Sequence, residues 1–173
     1  MKRLFLFLIL TCLLTSTAMA GEIFPQATLA GKLSETQKSY LGVTSDTIQP
    51  KDIQAEYLFV EGYSMYCPIC QRDAPHLNAL YDALEKEGLS KKIKMIGIAL
   101  GNTPYETAFY QKKYEVQFPL FHDEDYTVHK ALGEVPTPTF YIVKMDTMEV
   151  LFKKVGAAET KDALLKAIKE VVK

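Results

Sequence analysis

The chain has 173 residues, of which 48% are hydrophobic and 24% are charged, and its formal net charge at pH 7 is −1. These values are ordinary for a globular protein and exclude a disordered chain. The near-zero net charge lacks the basic field that a nucleic-acid-binding protein needs. Three cysteines are too few for a disulfide-stabilised scaffold, and the length favours one compact domain.

Residues 1–20 have the layout of a secretory signal peptide, with a basic start, an apolar stretch and small residues that end at Ala20. The apolar stretch, residues 4–14, is shorter than the roughly 20 residues of a membrane-spanning helix. We therefore predict cleavage after Ala20 rather than an uncleaved anchor. The mature chain would be exported without stable membrane insertion, and it would be periplasmic if the source is a Gram-negative bacterium.

Residues 21–50 are predicted to form a lead-in segment, and its first part, residues 21–32, carries weak signals and is predicted to be irregular. One short helix is expected within it, because Ser34 and Gln37 have the spacing of a capping box and Gly42 can end the helix. Residues 51–173 are predicted to form the main domain.

Strands and helices alternate along the main domain. Continuous apolar stretches and period-two patterns predict strands at 57–60, 93–100, 118–121, 139–144 and 149–155. Apolar residues at helical spacing and capping signals predict helices after the cysteines at 67 and 70, and at 104–114, 125–132 and 164–171. This order predicts an α/β fold with helices on both faces of one mixed sheet.

The pair Cys67 and Cys70 lies at the predicted start of a helix that follows a buried strand. A helix N-terminus offers free amide donors and partial positive charge, which lower the pKa of a cysteine from about 8.5 to about 3.5–7.5. A second thiol one turn later can attack a mixed disulfide formed by the first. We therefore predict that Cys67 is the exposed nucleophile and that Cys70 is the resolving thiol, with Pro68 suited to the first helical turn.

Half of a zinc site is the structural alternative for this cysteine pair. A structural zinc ion needs four ligands, and the sequence after residue 20 has no second cysteine pair. His76, His122 and His129 could complete such a site only by tertiary coincidence. We therefore favour reactivity as the reason for the pair.

The segment from Glu61 to Pro75 resembles the active-site segment of the thioredoxin superfamily. It has the Cys-x-x-Cys pair, a carboxylate six residues before the first cysteine and a proline five residues after the second. Residues 136–141 resemble the superfamily's cis-proline loop. Residues 98–123 resemble the extra helix–strand unit of its TlpA/ResA-like (redoxin) and peroxiredoxin-like branches. The resemblance implies a thioredoxin-like fold, with a central mixed sheet flanked by helices and a helix–strand insertion before the cis-proline loop.

The resemblance also implies roles for residues around the cysteines. Glu61 would be the buried acid that relays the proton of Cys70, whereas an exposed or salt-bridged glutamate is the alternative. The cis-proline would be Pro138, preceded by Thr137, with Pro136 as the rival position. We predict that the substrate-binding residues are Tyr66, Pro68, Ile69, Thr137 and Pro138. A substrate segment would pair with the backbone of Thr137 as an extra strand.

The function implied is that of an exported thiol–disulfide oxidoreductase acting on protein cysteines. Its redox-active group would be the Cys67–Cys70 disulfide, without metal, flavin or nucleotide. By resemblance, its partners would be client proteins such as apocytochromes c and a membrane redox protein that resets the cysteine pair. The direction of electron flow stays open at this point.

Two alternatives from other classes use the same cysteines. A peroxiredoxin-like thiol peroxidase would use Cys67 on peroxide, but Val60 and Ser64 occupy the Pro and Thr positions of the Pro-x-x-x-Thr-x-x-Cys pattern. A Sco-like copper-carrying protein would use both cysteines and a histidine. In the Sco family three residues lie between the two cysteines, whereas here only two residues lie between them.

Overall fold

The structure is a computed structural model, and it describes residues 21–172. The predicted signal peptide therefore lies outside the described residues. Within the described part, the strands are β1 Leu29–Gly31, β2 Thr47–Ile48, β3 Tyr57–Tyr63, β4 Ile93–Leu100, β5 Leu120–Asp123, β6 Thr139–Lys144 and β7 Glu149–Val155. The helices are α1 Glu35–Leu41, α2 Pro68–Lys86, α3 Pro104–Lys113, α4 Thr127–Ala131 and α5 Lys161–Val171, with short 3₁₀ turns at Pro50–Asp52 and Leu89–Lys91.

The strands form one mixed sheet in the order β2-β1-β5-β4-β3-β6-β7. Strand β3 lies near its centre, parallel to β4 and antiparallel to β6. Buried side chains alternate along β3, so that Phe59 and Tyr63 face one hydrophobic cluster while Leu58 and Val60 face the other. Helices therefore cover both faces of the sheet, as the alternating pattern predicts.

The two clusters assign each helix to a face. Helices α2 and α5, together with Tyr110 of α3, pack on the face of Phe59 and Tyr63. Helices α1 and α4 pack on the opposite face through Leu41 and Val128. Among the described residues, no helix is both long and apolar enough to cross a membrane.

The lead-in differs from the expectation of an irregular segment. Its predicted helix is present, with Ser34 and Gln37 forming the capping box and Gly42 closing the last turn in the left-handed region. However, β1 and β2 also join the sheet, and Ala30 pairs with His122 of β5. This pairing joins residues about ninety positions apart, which local sequence patterns do not indicate. The predicted domain boundary at residue 50 stays a prediction.

Strand β5 begins two residues later than the sequence predicts. Pro119 has no amide hydrogen, and only its carbonyl joins the ladder, accepting from Gly97 N at 2.9 Å. Regular pairing with β4 starts at Leu120, opposite Gly97. A Cβ at position 97 would lie 2.5 Å from Cδ2 of Leu120, so any side chain there would force the Leu120 side chain to shift. The predicted strands at 93–100, 139–144 and 149–155 agree with β4, β6 and β7.

Candidate active site

Cys67 is the N-cap residue of α2, directly after the loop that leaves β3. Its Sγ accepts a hydrogen bond from the amide of Cys70 at 3.3 Å, so the sulfur pairs with one of the free amide donors at the helix start. Pro68 fills the first helical position, where no amide donor is needed. Cys67 is partly exposed and Cys70 is fully buried, and both are free thiols.

Opposing effects act on the pKa of Cys67. Its partial burial raises the pKa, whereas hydrogen bonds from the Cys70 thiol and amide, the Thr137 side chain and the Ile69 amide lower it. The hydrogen bonds outweigh the burial, and the pKa of Cys67 lies below its ordinary value. The more exposed sulfur is therefore the one whose anionic form is stabilised.

The loop before β6 lies directly against Cys67. The peptide bond between Thr137 and Pro138 is cis, so the prediction of Pro138 rather than Pro136 is confirmed. The Cys67 thiol donates to the Thr137 carbonyl at 3.3 Å. Thr139, the first residue of β6, holds the other side of the loop by donating from its hydroxyl to the Pro136 carbonyl at 2.6 Å. The substrate-binding role of Thr137 and Pro138 stays a prediction.

Glu61 lies in the middle of β3 and is only 1% exposed. Among the described residues, its Oε1 has no hydrogen-bond partner. Burial raises the pKa of Glu61 well above its usual value, and the charges of Asp73 and Cys67 raise it further. The structure thus places Glu61 in the buried position that the resemblance implies rather than in an exposed or salt-bridged one. Its role as an acid stays a prediction.

Cys70 lies in the same buried region. Burial raises the pKa of its thiol far above the ordinary value, and the negative charge of Glu61 adds to that shift. The Cys70 proton is therefore held in the resting state.

Asp73 is a buried carboxylate that our sequence analysis missed. It lies in α2, one turn after Cys70, and its Oδ2 accepts from the amide of Ala158 at 2.6 Å. Its Oδ1 accepts from Nε of the exposed Arg72 at 3.2 Å. The available signal was helical spacing, because an acid three residues after Cys70 and four before Leu77 lies on the buried face of α2.

Three of the predicted substrate-binding side chains lie on the rim around Cys67. Tyr66, Pro68 and Ile69 are all exposed, and Tyr66 is the most exposed apolar side chain next to the cysteines, at 66%. The phenol of Tyr66 donates a hydrogen bond to Oε1 of Glu106 in α3. The structure thus brings these residues together at the surface. Whether they bind substrate stays a prediction.

The insertion between β4 and β5 holds the cysteine loop in place, which the sequence did not indicate. The buried Asn102 accepts from the Met65 amide at 2.8 Å and donates to the Ser64 hydroxyl at 3.4 Å. Tyr110 of α3 donates from its phenol to the Cys70 carbonyl at 2.9 Å. The helix–strand insertion therefore supports Cys70 and the loop that leads to Cys67.

The histidines do not converge on the cysteines. His76 is exposed on α2, and the ring Nε2 of His129 lies 2.9 Å from the Val135 carbonyl. Within residues 21–172, no group of three His, Cys, Asp or Glu side chains could hold a metal ion. No histidine-completed group of three such ligands is therefore assembled around the cysteine pair in the described part of the chain.

Residues 21–149 match a family model described as the AhpC/TSA family. The chain belongs to the AhpC/TSA family. Among curated relatives, the thiol-disulfide oxidoreductase ResA of Bacillus cereus (strain ATCC 10987 / NRS 248) is 22% identical over an alignment of 180 positions, which covers 98% of each chain. ResA of Halalkalibacterium halodurans is 24% identical over 98 residues, which cover 57% of this chain and 53% of that one.

Solved structures support the fold of this AhpC/TSA member. A putative thiol:disulfide interchange protein DsbE from Chlorobium tepidum matches with a TM-score of 0.70 and 16% identity, covering 88% of this chain and 97% of that one. A secreted Mycobacterium tuberculosis disulfide oxidoreductase matches at 0.63 with 18% identity, covering 84% and 96%. StoA from Bacillus subtilis matches at 0.62 with 18% identity, covering 83% and 97%. The predicted thioredoxin-like α/β fold is confirmed.

Family, relatives and fold together confirm the enzyme class that the resemblance implied. The chain is a thioredoxin-like thiol–disulfide oxidoreductase, and its curated relatives are named ResA.

Proposed function

We propose that this protein is exported and exchanges disulfides with protein substrates through Cys67 and Cys70. One observation carries the proposal: the Cys67 sulfur accepts an amide hydrogen bond at the helix start, while Cys70 lies buried one turn below it. This arrangement separates an attacking thiol of lowered pKa from a resolving thiol of raised pKa.

The first step forms a mixed disulfide. The Cys67 thiolate attacks one sulfur of a substrate disulfide, a new bond forms to that sulfur, and the substrate's own sulfur–sulfur bond breaks. The leaving substrate thiolate takes a proton from solvent. The amide of Cys70 donates a hydrogen bond to the Cys67 thiolate and stabilises its negative charge until the new sulfur–sulfur bond forms.

The second step resolves the mixed disulfide. Glu61 accepts the proton of Cys70, and the resulting thiolate attacks the Cys67 sulfur. The second substrate sulfur leaves as a thiol after it gains a proton. Two electrons have then passed to the substrate, and the protein carries a Cys67–Cys70 disulfide. The same steps in reverse oxidise a substrate dithiol, and no metal, flavin or nucleotide takes part.

The surroundings of Cys67 suit a polypeptide substrate. The Thr137 backbone lies against the attacking sulfur, and Tyr66, Pro68 and Ile69 present apolar surface around it. A substrate segment next to the disulfide would lie along the loop at Thr137 and Pro138 as an added strand. Its side chains would contact the rim.

Export and partners complete the proposal. Residues 1–20 would direct export and be removed, which leaves the protein in the periplasm of a Gram-negative source. Apocytochromes c are one class of client, and a membrane redox protein would reset the cysteine pair after each cycle. The support for these partners is the resemblance to the TlpA/ResA-like branch together with the relatives named ResA.

Trapping of intermediates tests the proposed roles of the cysteines. We expect Cys70→Ala to accumulate mixed disulfides with client proteins, because Cys67 still attacks but nothing resolves the product. Cys67→Ser should accumulate none. The measurement is diagonal non-reducing gel electrophoresis of the exported fraction, with the double variant as the control.

Two outcomes would contradict this proposal. Equal trapping by both single variants would mean that the cysteine roles are wrong. Peroxide consumption that depends on Cys67 but not on Cys70 would instead indicate the peroxidase alternative.

A further inference from the structure

The carboxylate of Glu106 connects the start of α3 to the side chain beside Cys67. Its Oε2 accepts from the Thr103 amide at 2.8 Å and from the Thr103 hydroxyl at 2.9 Å. The Thr103 hydroxyl in turn accepts from the Glu106 amide at 3.2 Å, which completes the capping box of α3. These bonds fix the carboxylate, and its Oε1 remains to accept from the phenol of Tyr66.

Tyr66 depends on this bond for its orientation. Its ring is 66% exposed, so packing holds only a small part of it. A hydrogen bond to a carboxylate is a charge-assisted bond and has a directional preference. Tyr66 precedes Cys67 directly, so the bond to Glu106 determines which way an aromatic surface points at the edge of the attacking sulfur.

We propose that Glu106 is a positioning residue that holds Tyr66 in place beside Cys67 and thereby favours disulfides within polypeptide clients over small disulfides. The inference rests on the proposed exchange with protein substrates. A polypeptide that reaches Cys67 has residues on both sides of its disulfide, and these contact the rim that includes Tyr66. A small disulfide reaches the sulfur without needing that rim.

The physical benefit of the bond is preorganisation. A free exposed tyrosine samples several side-chain rotamers, and a client would have to order one of them on binding. Glu106 orders the ring before the client arrives. Loss of this order lowers affinity by about two- to tenfold for one side chain, with little effect on the chemical step.

The test compares Tyr66→Phe, Glu106→Ala and Glu106→Gln on two substrates, the disulfides of insulin and bis(2-hydroxyethyl) disulfide. We expect Tyr66→Phe and Glu106→Ala to lose about two- to tenfold in kcat/KM on insulin, mainly through KM. On the small disulfide the loss should be smaller, so that the ratio of kcat/KM on insulin to kcat/KM on the small disulfide falls in both variants. Glu106→Gln should retain most of the insulin activity, because glutamine can complete a capping box and accept from a phenol.

Tyr105→Phe is the matched control. Tyr105 lies next to Glu106 at the start of α3 and is 79% exposed, and within residues 21–172 its phenol has no hydrogen-bond partner. Removing its hydroxyl should therefore leave both activities unchanged. The double variant of Tyr66→Phe and Glu106→Ala should be no worse on insulin than Glu106→Ala alone, because both changes remove the same bond.

The outcomes separate this inference from the proposed function. Unchanged insulin kinetics in Tyr66→Phe, or an equal loss on both substrates, would overturn the positioning role while leaving disulfide exchange intact. If the unmodified protein exchanges disulfides with neither substrate, in the reducing or in the oxidising direction, the proposed function fails and the inference fails with it. Tyr66→Phe removes only a surface hydroxyl, so it supplies the result even if Glu106→Ala does not fold.

Discussion

The surroundings of Cys67 and Cys70 differ more than a separation of three residues suggests. Cys67 is partly exposed, and hydrogen-bond donors around it favour its anion. Cys70 is fully buried, and burial together with the charge of Glu61 opposes its anion. Two thiols of the same intrinsic acidity, one helical turn apart, thus have pKa values shifted in opposite directions. Five predictions test this contrast and the residues around it, and they follow from the largest expected effect to the smallest.

Alkylation of the reduced protein should show the largest difference. At pH 7 we expect iodoacetamide to modify Cys67 at least about a hundredfold faster than Cys70, because the thiolate reacts and only Cys67 has a lowered pKa. Peptide mass spectrometry over a time course measures both rates. In denaturant the two cysteines should react at the same rate. Equal rates in the folded protein would contradict the opposite pKa shifts of the two thiols.

Replacing Glu61 by glutamine tests the buried side of the contrast. We expect Glu61→Gln to slow resolution of the mixed disulfide by about 100-fold, since a positioned acid–base group typically contributes that much or more. Formation of the mixed disulfide by Cys67 should change little. Rapid-quench measurement of the two steps distinguishes them, and an equal slowing of both would contradict the role.

Glu61→Gln should also change how the free energy of unfolding depends on pH. The pKa of Glu61 is higher in the folded protein than in the unfolded chain, where it is about 4.3. The folded state is therefore penalised as the pH rises above that value toward the raised pKa. The free energy of unfolding of Glu61→Gln, relative to the unmodified protein, should increase between pH 4 and pH 8 in urea titrations. Glu56→Gln, at an exposed site before β3, should show no such trend.

Asp73→Asn should have a smaller effect on the resolution of the mixed disulfide than Glu61→Gln has. Asparagine can still accept from the Ala158 amide, but it removes a negative charge that raises the pKa of Glu61. We expect the pH midpoint of the resolving step to fall by about one unit, as for other neighbouring charges. A pH–rate profile measures it, and an unchanged midpoint would show that Asp73 only holds the backbone.

The smallest expected effect is a difference in the free energy of unfolding between variants of two buried tyrosines. Tyr110 donates to the Cys70 carbonyl, whereas the phenol of Tyr141, on the opposite face of the sheet, has no hydrogen-bond partner within residues 21–172. Tyr110→Phe should lower the free energy of unfolding by about 0.5–1.5 kcal/mol, the usual net contribution of one hydrogen bond. Tyr141→Phe should be neutral or stabilising. Equal losses in urea titrations would argue against a specific contribution from the Tyr110 bond.

Local patterns predicted much of the fold. The capping boxes at Ser34 and Thr103 and the apolar stretch 93–100 depend on neighbours within a few residues, and the structure agrees with them. Strand β1 was missed because it is held by pairing with β5, which is distant in sequence. Strand β5 was placed two residues early because the apolar stretch does not show where Pro119 interrupts the ladder.

The residues of the candidate site were likewise predicted only in part. Cys67 and Cys70 were found by their spacing and their place at a helix start, and Glu61 and Pro138 by resemblance. Asp73, Asn102 and Glu106 were not found, because each acts through a partner on another element of the fold: Ala158, Met65 and Tyr66. Carboxylates and amides are common residue types, and nothing in their local sequence indicates such partners.

By itself, the sequence determined the class of chemistry, because two thiols one turn apart at a helix N-terminus have restricted uses and that geometry is local. Only the tertiary structure decided how the thiols differ. Burial, the charge of Glu61 and the support from α3 come from segments that meet through the sheet, and the pKa of a thiol depends on everything packed around it.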